Sequence, residues 1–157
     1  MKFKLEAKFS KNQIEKQLNQ AVSNLRQAVL NRLEMVGWEF VRNARMKNAS
    51  QGGFNDVTGN LRSSIGFAII DHGKVSKENY EASKTGTDKK TGISEAKSLV
   101  KSLKSDFANG YALVVVAGMG YAAAVESRGK DVITGSSLEA EEMLREALKK
   151  LKIKVMS

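Results

Sequence analysis

The chain has 157 residues, 41% hydrophobic and 27% charged, which suits one globular domain able to bury about two thirds of its unfolded surface. It contains no cysteine, which excludes a disulfide framework, a thiolate metal site and a cysteine nucleophile. Lys and Arg outnumber Asp and Glu 26 to 17, and the resulting +9 fits either a solubilising surface or a basic module that binds nucleic acid.

The opening residues, MKFKLEAKFSKNQ, lack the apolar core of a signal peptide, and no apolar run approaches the roughly 20 residues of a membrane helix. The expected setting is the cytoplasm, away from membranes. Residues 2–9 alternate, with Phe3, Leu5, Ala7 and Phe9 on one side, as in a strand with one wet face. Ser10 and Gln13 then form a capping box, and Ile14, Leu18, Val22, Leu25, Val29, Leu33, Val36, Phe40 and Ala44 follow at helical spacing. A helix over about 11–47 would be roughly 55 Å long, too long for a domain of this size, so it must project, bend at Gly37, or pack on a neighbouring subunit.

NASQGGFNDVTGN reads as a loop and SSIGFAIID as a strand with Ile65, Phe67 and Ile69 on one face. His72 and Gly73 look like a hairpin turn, which gives the lone histidine a structural role. The lysine-rich stretch at about 74–92 is thin in apolar residues and is expected to be a mobile insertion into a single domain spanning 1–157. A short amphipathic helix carries Leu99, Val100, Leu103 and Phe107 and stops at Gly110. YALVVVAG, apolar on both faces, is expected to be the central strand, KDVITG a further short strand, and SSLEAEEMLREALKKLK a closing helix with acidic start and basic end. The order implies an α+β fold in which a long N-terminal helix and a C-terminal helix pack on a small, mainly antiparallel sheet, covering one face of it.

Several segments imitate chemistry. Gly118, Gly120 and Ala123 have the G-x-G-x-x-A spacing of a dinucleotide loop, but too little chain follows to complete a nucleotide-binding half-domain. SKTGTDKKTG resembles a phosphorylation loop with Ser83 where the aspartate nucleophile must stand, and RGKD lacks the glycine and hydroxyl of a phosphate-cradling loop. Glu141 and Glu142, adjacent on a helix, face different directions. No set of convergent polar groups emerges, so neither an enzyme nor a bound cofactor or metal is expected.

DVTGNLRSSI at 56–65 and GYALVVVAGMGYAAAVESRG at 110–129 together resemble the tail-component family of long-tailed bacteriophages, over roughly residues 11–151. In that family a long helix leads to T-G-x-L-x-x-S-I, here Thr58, Gly59, Leu61, Ser64 and Ile65. A hydrophobic strand then ends in Y-A-x-x-V-E-x-G, here Tyr121, Ala122, Val125, Glu126 and Gly129. Ser127 and Arg128 within the second motif, the long connection over 74–109 and the N-terminal strand pattern depart from the family. The resemblance implies a virion structural protein of the head-tail junction, a neck or tail-completion subunit that forms a homo-oligomeric ring. Its partners would be other head-tail connector or tail proteins, and it would be found in the virion and, during assembly, in the host cytoplasm. The working surface would then include the projecting part of the helix and Tyr121, Val125, Glu126 and Arg128. On a purely structural reading, Thr58 caps a turn, Gly59 adopts positive φ and Leu61 fills the core. A basic nucleic-acid-binding module, with contact to DNA, is the alternative function.

Overall fold

The computed structural model describes residues 9–156. The strand expected over 2–9 therefore lies outside the described residues, apart from Phe9. In chain order the elements are α1 (Lys11–Met46), α2 (Asn60–Ser63), β1 (Ile65–Asp71), β2 (Lys74–Tyr80), α3 (Lys90–Leu103), β3 (Tyr111–Ala117), α4 (Ala122–Glu126) and α5 (Thr134–Met156). This is the expected α+β fold, with long N- and C-terminal helices and a three-stranded antiparallel sheet.

The capping box forms as the sequence predicts: the Ser10 hydroxyl accepts from the Gln13 amide, and the Gln13 side chain accepts from the Ser10 amide. From there α1 runs 36 residues without interruption. Only its second half is buried, through Leu33, Val36, Phe40, Val41 and Ala44. Gly37 serves close packing: a Cβ there would stand 2.6 Å from the Phe67 ring, so the missing side chain makes room for β1. α5 runs back along α1, fixed near its start by Lys47 to Asp131 at 2.6 Å and by Asn43 to Glu139 at 3.1 Å.

The strand order is β2-β1-β3, so β1 is the central strand and the more hydrophobic β3 lies at an edge. Every residue of β1 is buried, whereas β3 is only half covered. Hydrophobicity alone misplaces the centre because β3 must be apolar on both faces at an edge, where helices flank it on either side. Ile65, Phe67 and Ile69 of β1, with Leu113, Val115 and Ala117 of β3, face α1 and α5. Ala68, Ile70, Val114 and Val116 face α3 through Ala96 and Val100. Helices therefore cover both faces of the sheet, not the single face expected.

His72 and Gly73 make the β1–β2 turn with φ of 50° and 76°, the left-handed pair that a two-residue hairpin requires. The segment 74–92 departs from the expected mobile insertion. Its first seven residues are β2, which pairs antiparallel with β1, and its end opens α3. A solvated edge strand needs little apolar content, because its ladder hydrogen bonds and one neighbour hold it. KDVITG also departs from expectation: it forms no strand but enters α5 at Thr134.

Candidate functional site

The turn at 56–65 is built as a clasp. Asp56 accepts from the amides of Gly59 at 3.0 Å and Arg62 at 2.7 Å, which satisfies the open N-terminus of the one-turn helix α2. Thr58 Oγ1 accepts from the Asn60 amide, so its capping role is real, though local. Gly59 has φ of 83°, and a Cβ on it would stand 2.4 Å from the Thr85 carbonyl oxygen. Leu61 is buried in the main core. Ser64 is buried and returns its hydroxyl to the Leu61 carbonyl.

Residues without an assigned role in the sequence reading do the clasping. Ser63 donates to the Gly59 carbonyl and accepts from the Ser83 amide at 2.8 Å. Asn60 accepts from the Gly92 amide at 2.9 Å and donates to Asp88 at 3.2 Å. The turn thus grips both ends of the 83–92 connection, and Ser83 and Gly92 are buried there. Because Asn60 is itself buried, Asn60→Ala is expected to cost about 2 kcal/mol by stranding the Gly92 amide. Hydrogen exchange at Gly92 should accelerate selectively; protection equal to wild type would show that the amide has another acceptor.

The second motif lies beside the first. Gly118 donates to the Ser64 carbonyl at 3.1 Å, and Ala122 and Val125 pack in the cluster that holds Leu61. The Tyr121 hydroxyl is raised above its ordinary pKa, first by burial and then by the Asp56 carboxylate, with Thr58 opposing. Its ring remains partly open to solvent, and Arg128 is exposed. The structure therefore brings Thr58, Leu61, Tyr121 and Val125 into one region.

Glu126 is placed differently from the intersubunit role that the resemblance implies. Its Oε1 accepts from the amides of Val132 at 3.2 Å, Ile133 at 2.8 Å and Thr134 at 2.9 Å, and its Oε2 accepts from the Thr134 hydroxyl. Burial opposes its ionisation, yet the Ile133 and Thr134 amides, the Thr134 hydroxyl and the Val132 amide together hold its pKa below the ordinary carboxylate value. A carboxylate engaged at the mouth of α5 by its own chain is a folding element. Neighbouring Asp131 reinforces the same helix start by accepting from Gly135 at 3.0 Å.

The other surface with an unfilled requirement is the first half of α1. Residues 11–27 are exposed throughout. Ile14, Leu18, Val22 and Leu25 form one stripe along them, with Leu18 at 61% and Val22 at 60% exposure. Arg26, bonded to the buried Asp71 carboxylate, marks where the helix leaves the body. A groove of about 520 Å³ continues the stripe between Val22, Leu25 and Ala28 of α1 and Leu151 of α5.

The imitative motifs have structural explanations. Gly118 allows β3 to meet α3, since a Cβ there would stand 2.3 Å from the Ala96 backbone, and only the five-residue α4 follows. Among the described residues there is no cluster of His, Asp and Glu side chains able to hold a metal, and no helix long and apolar enough to cross a membrane. No protein-family model, curated protein or solved structure matches the chain.

Proposed function

We propose that the protein is a structural virion protein of a tailed phage or prophage, a ring-forming head-tail junction or tail-completion subunit without catalytic activity. The observation that carries this reading is the projecting half of α1. Its apolar stripe, about 25 Å of helix that stays exposed among the described residues and that α5 flanks only at the groove by Leu151, matches the requirement for a neighbouring copy. The adjacency of the two motif segments supports the same reading, because the resemblance rests on both and they share one side of the fold. In this role the helix of one copy lies against the body of the next, a head-to-tail contact that closes into a ring.

Leu18→Lys with Val22→Lys tests the reading. Both side chains are exposed in the single chain, so the melting temperature should stay within about 2 °C of wild type. In a phage lacking the gene, the variant should leave heads and tails separate by electron microscopy, while the wild-type gene restores joined particles. Joined, infectious particles made with the normally expressed variant would overturn the proposal. Capsid, portal and tail-tube genes adjoining the coding sequence are the expected genomic context.

A further inference from the structure

A groove of about 620 Å³, within the size range of ligand sites, lies between the last turns of α1 and the segment after β2. Trp38 and Met46 give it an apolar wall open to solvent, and the Trp38 ring is fixed edge-on to Phe67 at 5.9 Å. Four cations line it against two carboxylates. Arg42 is engaged by Glu39 on its own helix, and Arg45 by Glu81 at 3.5 Å. Arg62 lies over the Phe54 ring at 5.0 Å, and neither it nor Lys84 forms an ion pair among the described residues.

Arg45 carries the electrostatic imbalance. Its side chain is only 12% exposed. Burial lowers its pKa, Glu81 raises it, and the nearby Arg62 charge lowers it further. Two guanidinium groups thus share a partly desolvated site with one carboxylate, and a second carboxylate would relieve their repulsion.

We propose that this groove docks an acidic segment of a partner polypeptide, with a carboxylate held among Arg45, Arg62 and Lys84 and a neighbouring apolar side chain against Trp38 and Met46. A nucleic-acid strand fits less well. Glu39 and Glu81 stand in the groove against a run of phosphates, and one aromatic ring offers one stacking platform. The inference goes beyond the ring reading and uses none of the residues in its test.

Trp38 is the only tryptophan, so intrinsic fluorescence reports on this groove directly. A random peptide library is panned on the whole protein, with Arg62→Glu/Lys84→Glu protein as counter-selection and the exposed single variant Lys84→Glu as a fold-neutral control. The expected result is enrichment of peptides that combine Asp or Glu with a bulky apolar residue. These should shift Trp38 emission saturably, weaken with added salt, and lose about tenfold or more in affinity for Lys84→Glu at unchanged melting temperature. Failure to enrich over the counter-selected protein would overturn the proposal, as would enriched peptides lacking acidic residues. Tighter binding of a thymidine oligonucleotide in the same titration would assign the groove to nucleic acid and overturn it too. An emission shift that follows protein concentration without peptide would assign it to a second copy, with the same effect.

Discussion

Gly59→Val is expected to destabilise the protein by about 3 kcal/mol, a fall of roughly 10 °C in melting temperature for a chain of this size. Two costs add. The residue holds φ of 83°, where a β-branched side chain is strained, and its Cβ would stand 2.4 Å from the Thr85 carbonyl oxygen in a segment fixed by Ser63, Asn60 and Asp88. Gly52→Val separates them. Gly52 has nearly the same φ, 81°, but nothing lies within 4 Å of its Cβ position, so it should show only the backbone cost of about 1 kcal/mol. Equal melting temperatures for the two variants would mean that the clasp against Thr85 yields without penalty.

Glu126→Ala should cost a similar amount, about 3 kcal/mol, since three backbone amides and a hydroxyl lose a charged acceptor together and Val132 is buried. Glu126→Gln keeps an acceptor but loses the charge, and about 1 kcal/mol is expected. The pH dependence identifies the cause. The folded-state pKa lies below the unfolded one, so the carboxylate stabilises the fold fully above the ordinary glutamate pKa and loses that contribution as pH falls through the lowered value. The difference in stability between wild type and Glu126→Gln should therefore shrink in acid. A difference constant from neutral to acid pH would assign the effect to packing.

The local sequence was most legible where one short pattern decides the structure. The Ser10–Gln13 box, the apolar period of α1 and the His72-Gly73 turn each specify their geometry with neighbours in the chain. It was least legible where the deciding partner is distant. Lys74–Tyr80 looks like loop because what holds it is distant in the chain: the β1 ladder, Glu34 paired with Lys77, Lys97 paired with Glu78, and the core cluster under Tyr80. VITG has the residues of a strand, yet Glu126 takes its amides and turns it into the start of a helix. Asp56 and Asn60 could have been marked in advance as turn formers, since short polar side chains before and after Gly59 suit an Asx turn, but the hold of Asn60 on Gly92 and Asp88 needed the fold.

The capping box sits at the far tip of the exposed half of α1, where it contributes nothing to the core. Its effect is mechanical. The buried half of the helix has already met the cost of nucleation, and the cap opposes unwinding from the first turn. The projecting segment is thereby held as a stiff rod, continuous with the turns that pack Phe40 against the sheet. A partner that grips Leu18 and Val22 receives a fixed bearing along with a sticky surface: an angular error at the sheet becomes a lateral displacement at the tip in proportion to the rod's length. Angular registry between successive copies would then be set inside the domain, well away from the residues that touch.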